Sequence, residues 1–149
     1  IFHFDEKWIF NSYISYYYNI EPSKKELIEF IEKMSNKVKD NIIITTGMKS
    51  NHLIDQIKNF FKNSNKIKVL TNLEFVDLEY LISNSNLLIT CHGAVSHVAS
   101  AKNIKIIDII DNNPSNPYNK WTDHFRNYHQ IYRKKFTDLT DEILKIVDK

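Results

Sequence analysis

The chain has 149 residues, a formal net charge of +2, and 42% hydrophobic and 26% charged residues. That is enough chain for one domain with its own core, and the charge is too small to mark a nucleic-acid binder. The single cysteine, Cys91, excludes an internal disulfide and fits a reducing, cytoplasmic compartment, while no apolar run approaches the ~18 residues of a membrane span.

Ile1-Phe2-His3-Phe4 reads as a strand. A chain that opens inside a strand is expected to be one half of a longer protein. The aromatic stretch from Phe10 to Tyr18 follows, with Phe10, Tyr13 and Tyr17 at helical spacing. Those rings are expected either to pack, within the domain or against a neighbour, or to form part of an acceptor or lipid surface. Ser23-Lys24-Lys25-Glu26 is a capping box for a helix whose apolar stripe is Leu27, Phe30, Ile31, Met34 and Val38. A strand over Asn41–Thr46 ends at Gly47. Ser50 is placed to cap a helix that buries Leu53, Ile54, Ile57, Phe60 and Phe61. Lys66–Leu70 reads as a strand, and Leu78, Leu81 and Ile82 mark a short helix.

Leu87–Cys91 is a short run of strand formers, expected to be covered on both faces. From Ala94 the period changes, with Val95, Val98 and Ala99 on one helical face. This strand, turn and helix has Gly93 at the switch. The next strand is Lys105–Asp111. The polar stretch 112–127, with Pro114, Pro117 and Trp121, reads as a long loop of functional kind. Tyr128–Arg133 closes the strands, and Asp138 or Thr140 is expected to cap a last helix bearing Leu139, Ile143, Ile146 and Val147. Strands alternating with helices predict an α/β fold: a Rossmann-like parallel sheet with helices on both faces, in a single domain over 1–149.

In such sheets ligands bind beyond the carboxyl ends of the strands. Both glycines of the chain, Gly47 and Gly93, belong to that rim. Gly93 with the amides of Ala94, Val95 and Ser96 is the best candidate for a diphosphate, because a helix N-terminus offers free N–H groups and positive potential. The Ser96 hydroxyl can reach the phosphate or satisfy the first helical turn. His92 at the strand tip can donate to a phosphate oxygen and stabilise a leaving diphosphate, or make a structural hydrogen bond. His97 reads better as packed or capping. The two histidines have no Cys or carboxylate spacing that completes a metal site, so no metal is expected. Asp108, inside an apolar run, reads as a structural hydrogen-bonded group.

The order of pieces resembles the C-terminal half of a GT-B glycosyltransferase, closest to glycosyltransferase family 9, the heptosyltransferase-like enzymes. The resemblance spans nearly the whole chain. It rests on Lys7-Trp8 after the first strand, on Thr46-Gly47-Met48 for a Thr-Gly-Gly turn, and on Asp77–Ile82 for a Leu-rich helix. It rests also on Cys91-His92-Gly93-Ala94-Val95-Ser96-His97-Val98-Ala99-Ser100-Ala101, where the family has Asn-Asp-Ser-Gly-Pro-Met-His-Leu-Ala-Ala-Ala. Pro114, Pro117 and Trp121 echo the family's Pro- and Trp-containing loop. Cys91-His92 replaces the family's Asp-Ser, and its Pro-Met pair is not kept.

The resemblance implies a donor-binding domain that helps move a sugar from a nucleotide-diphosphate sugar to a saccharide or lipid-linked saccharide, inverting and without metal. Lys7 would reach the phosphates as a point charge. Thr46, Gly47 and Met48 would face the nucleoside through close backbone approach, or serve the turn alone, and Asn72 and Leu73 would hold the base by backbone contacts. Asp111 would contact ribose or sugar hydroxyls, and Trp121 would stack on donor or acceptor, or anchor its loop. The general base is expected in the missing N-terminal half, and no separate cofactor is implied. The chain alone is then expected to bind donor without transferring sugar, in the cytoplasm, with peripheral association at the inner membrane face as a further expectation. A nucleotide-sugar epimerase on the same scaffold and a non-catalytic α/β binding module are the alternatives.

Overall fold

The computed structural model describes residues 1–113, 115 and 117–147; Pro114 lies outside the described residues. Among the described residues there are six strands, β1 (Phe2–His3), β2 (Ile42–Thr45), β3 (Ile67–Leu70), β4 (Leu87–Cys91), β5 (Lys105–Ile110) and β6 (Tyr128–Tyr132). They form one all-parallel sheet in the order β3-β2-β1-β4-β5-β6. The fold is therefore the Rossmann-like α/β arrangement expected. The chain winds outward from β1 to β3, crosses back, and winds outward again from β4 to β6. The order reverses between β1 and β4, where an open α/β sheet has its ligand crevice.

Helices α1 (Lys24–Lys37), α2 (His52–Phe60) and α6 (Phe136–Val147) cover one face. Helices α3 (Phe75–Ser83) and α4 (Ala94–Ala101) cover the other. Side chains of a strand alternate between faces. Accordingly Ile89, Cys91, Ile107 and Ile109 join the first core, while Leu88 and Ile106 join the second. This double burial is why the strands read as unbroken apolar runs. The Ser23 capping box forms as expected, with Ser23 Oγ accepting from Glu26 N–H and Glu26 Oε2 accepting from Ser23 N–H. Among the described residues, no helix is long and apolar enough to cross a membrane.

Three local expectations are corrected. Asn51, not Ser50, caps α2, its Oδ1 accepting from Ile54 N–H at 3.0 Å, while Ser50 Oγ donates to Asp55. The last helix begins at Phe136, so Asp138 sits in its first turn and the Thr140 hydroxyl donates back to Thr137 O. The stretch 112–127 is not wholly loop: it contains α5 (Tyr118–Thr122), a single turn tied by Thr122 Oγ1 to Tyr118 O at 2.9 Å. The aromatic stretch 10–18 is turns rather than helix, and Asn11 stands there at φ 57°, a left-handed conformation that asparagine tolerates. Phe10, Tyr13, Tyr16 and Tyr18 are exposed, whereas Tyr17 is half-buried under the Arg133 guanidinium.

Trp8 explains how the chain leaves β1. It is wholly buried, stacks on Phe4 at 5.1 Å, meets Phe2 edge-on at 5.2 Å and donates through Nε1 to His3 O. A buried indole must place its N–H, and this bond does so. With Trp8 pinned inward, the short 3-10 turn Glu6–Trp8 carries Lys7 onto the rim, and Asp5 caps that turn by accepting from Lys7 N–H.

Candidate functional site

At the crevice between β1 and β4, the Lys7 ammonium binds the Asp5 carboxylate and lies 5.3 Å from the Tyr13 ring centre. It also lies against Gly93: a Cβ placed on that glycine would be 3.2 Å from Lys7 Nζ and 3.3 Å from Cε. Gly93 has φ 174°, extended backbone open to any residue, so the glycine is needed here for space and not for its dihedral. Burial disfavours the Lys7 ammonium, but Asp5 beside it outweighs burial and raises the Lys7 pKa above its ordinary value. A cation at the positive end of a helix is unfavourable unless an anion accompanies it. Asp5, almost fully buried, supplies that anion.

An open cleft of about 610 Å³ adjoins this pair, lined by Asp5, Lys7, Gly47, Met48, Lys49, Phe75, Ala94 and Val95 among others. The structure thus gathers five expected site residues, Lys7, Gly47, Met48, Ala94 and Val95, beside Gly93. Gly47 has open space around its Cα, and Met48 is exposed. Ser96 is a correction: its N–H donates to Gly93 O at 3.0 Å and its hydroxyl to Asp108 Oδ1 at 2.8 Å. The amides that open α4 toward the cleft are therefore those of Ala94 and Val95. The Thr46 side chain serves the turn. It is wholly buried, donates to Gly47 O at 3.1 Å and accepts from Asn72 N–H at 3.4 Å, so it secures the loops rather than facing a nucleoside. Asn72, at φ 58°, accepts from Ser50 N–H through Oδ1, and Leu73 packs on the second core.

His92, just after β4, belongs to a separate cluster. Its Nδ1 donates to Asp108 Oδ2 at 2.6 Å, and the Tyr128 hydroxyl donates to the same oxygen at 3.0 Å. With Ser96 Oγ on Oδ1, the fully buried Asp108 carboxylate collects three side-chain donors. Tyr128 remains a phenol, because burial and the neighbouring Asp108 push its pKa up. Rings enclose the imidazole: Trp121 stacked at 6.2 Å, Tyr118 edge-on at 5.1 Å and His97 at 5.5 Å. Trp121 therefore anchors α5 on His92. His97 is exposed among His92, His124 and Phe125, and burial of its ring together with the charges of those two histidines lowers its pKa. His92 is not among the groups lining the Lys7 cleft. Asp111, nearly buried, lines a different depression with Tyr16, Tyr18 and Arg133.

Two residues of the rim carry roles not anticipated from the sequence. Asp5 holds Lys7, and its spacing from Lys7 just after a strand was the available signal. Arg133 is nearly buried, with Nη2 donating to Lys7 O at 2.5 Å and Nη1 to Tyr18 O at 3.2 Å. It bolts the whole 7–18 segment to the end of β6, and nothing local in the sequence announces a bond across so many residues. Cys91 touches Arg133 at 3.5 Å, but burial pushes its thiol pKa far up, so it is no nucleophile. Among the described residues no group of His, Cys, Asp and Glu is arranged to hold a metal.

The β1 rim also makes stability depend on pH. His3 is nearly buried, with Nδ1 on Thr45 Oγ1 at 3.0 Å and Nε2 3.7 Å from Asp5. Desolvation lowers its pKa below the ordinary 6.5, against Asp5 and Glu6 and with the help of Lys7. The unfolded chain then takes up the proton that the folded chain refuses. Stability from this group is complete above 6.5 and is lost as pH falls toward the folded value. The expected result is a melting temperature that drops from about pH 7 to about pH 5 and drops less in His3→Gln. Parallel curves for the two proteins would show that His3 does not carry the effect.

Compared with models of known families, with curated proteins and with solved structures, the chain gives no match.

Proposed function

We propose that this chain is the donor-binding domain of a GT-B-type glycosyltransferase, holding a nucleotide-diphosphate sugar with its diphosphate over the N-terminus of α4. The observation that carries the reading is the Lys7 ammonium seated on Gly93 at the point where the strand order reverses, beside an open cleft. An entering diphosphate would meet Lys7 as a point charge and the Ala94 and Val95 amides as directed donors. It would share Lys7 with the Asp5 carboxylate, which stays in the site, so the helix amides and a further cation must offset the added negative charge. Lys49 adds a second cation at the cleft edge, and the half-exposed ring of Phe75 offers a face on which a nucleobase can stack. As charge builds on the leaving diphosphate, the same lysine and amides stabilise it without reorganising. The acceptor and a base to deprotonate it would come from a facing domain.

The test is a thermal-shift panel of ADP-, GDP-, UDP- and CMP-sugars. A ligand at a hundred times its Kd stabilises the native state by about 2.7 kcal/mol, which for a chain of this size is roughly 5–11 °C. A diphosphate sugar should give the largest shift, and a CMP-sugar, with one phosphate, a smaller one. Lys7→Ala should weaken a nucleoside diphosphate about tenfold more than the matching monophosphate, since the second phosphate brings the added charge toward the lysine. Equal losses would place Lys7 away from the phosphates. Absence of any shift across the panel would favour the non-catalytic binding module.

A further inference from the structure

Beyond the ends of β5 and β6 lies a second open depression, of about 710 Å³, lined by Tyr16, Tyr18, Asp111, Asn112, Asn113 and Arg133. We propose that this cup binds a pyranose ring of a saccharide. The proposal deepens the sugar-transfer reading, and rests on it only for where the sugar comes from.

The composition of the cup sets its ligand. Tyr16 and Tyr18 are 66% and 56% exposed, an unusual state for two large rings flanking one depression. An aromatic face exposed beside polar groups suits a ligand with one apolar face and a polar edge. A pyranose has that form, with a face of C–H bonds and a rim of hydroxyls. Each hydroxyl both donates and accepts, and the carboxylate of Asp111 and the side-chain amides of Asn112 and Asn113 supply acceptors and donors to match. A lipid tail offers no hydrogen-bonding groups to these side chains, whereas a pyranose offers several. A phosphate would meet the Asp111 carboxylate, and Arg133, the one cation among the described residues lining the cup, already serves the carbonyls of Lys7 and Tyr18.

The backbone that carries the rings is also tied down. The Arg133 guanidinium sits 4.7 Å from the Tyr17 ring centre and bonds the Tyr18 carbonyl, fixing the backbone between the two exposed tyrosines to β6. Tyr17 reaches the Tyr118 hydroxyl at 3.4 Å, and Asn113 Oδ1 accepts from Ser115 N–H at 2.9 Å. A tied backbone reduces the ordering cost of binding. Through Arg133 the floor of the cup is bonded to the backbone of Lys7, so the cup and the diphosphate cleft flank the same segment.

Saturation-transfer NMR of the intact chain with methyl glucoside, mannoside and galactoside pyranosides tests the cup. Transfer to at least one of them is expected, weakened about tenfold or more in the Tyr16→Ala/Tyr18→Ala variant. Both side chains are exposed, so the variant should keep its melting temperature and its affinity for a bare nucleoside diphosphate. If the variant also loses the extra affinity of a sugar nucleotide over that nucleoside diphosphate, the sugar in the cup is the donor's. If that increment persists while pyranoside binding is lost, the cup holds the acceptor saccharide. Absence of transfer to every pyranoside, or transfer undiminished in the variant, overturns the proposal. A chain that binds pyranosides but no nucleotide would sink the donor-domain reading and leave the cup standing.

Discussion

Gly93→Val is expected to fold normally and to lose nucleoside diphosphate affinity by about two orders of magnitude, close to 2.7 kcal/mol. Folding should survive because the backbone at Gly93 is extended and the nearest atoms to a new Cβ belong to the flexible end of Lys7. Binding should not survive, for two reasons that act together. The branched side chain pushes the ammonium off the helix end, and it fills the space through which a phosphate would approach the Ala94 and Val95 amides. Gly93→Ala, with a single methyl at the same place, should lose less, in keeping with a steric cause. Calorimetric titration of the folded variants checks both. Unchanged affinity in Gly93→Val would remove the diphosphate from this end of α4.

Asp108→Ala is expected to have the largest effect on stability. Asp108 is fully buried and accepts from His92, Ser96 and Tyr128. Removing it strands three donors, two of them on groups with little access to water. Each stranded buried donor costs about 1–3 kcal/mol. A total near 4 kcal/mol would lower the melting temperature by roughly 8–16 °C in a domain of this size. The nucleotide affinity of the folded variant should change little, because Asp108 is not among the groups lining the Lys7 cleft. A variant that melts with the wild type would show that the cluster contributes nothing to stability.

The strand pattern was legible because the sheet is covered on both faces, which leaves short, unbroken apolar runs such as Leu87–Cys91 and Lys105–Ile110. The switch at Gly93 was equally plain, since the period changes from a strand's to a helix's at Ala94. Other features depended on contacts between distant residues. The aromatic stretch has helical spacing but takes its form from Arg133, more than a hundred residues away. Helix α5 is too short to show a period and is held by the Trp121–His92 stack. The direction of the Ser96 hydroxyl is set by strand register, which pairs Thr90 with Asp108 and brings that carboxylate under α4. From side-chain type alone the Ser96 hydroxyl can reach a phosphate or satisfy the first helical turn, and the Asp108 carboxylate enters only with the register. Thr46 poses a related question: a threonine beside a rim glycine can turn outward or inward, and here it latches two loops.

The most direct test of the central claim is a backbone amide NMR titration of the 149-residue chain with a nucleoside diphosphate. A phosphate seated on the first turn of α4 must perturb the N–H groups that receive it. The expected result is that the largest saturable shifts fall on Gly93, Ala94 and Val95, with smaller ones at Lys7 and Gly47, and that Gly93→Val abolishes them. Saturable shifts confined to other parts of the chain, or none at any attainable concentration, would contradict the assignment of this crevice to a nucleotide diphosphate.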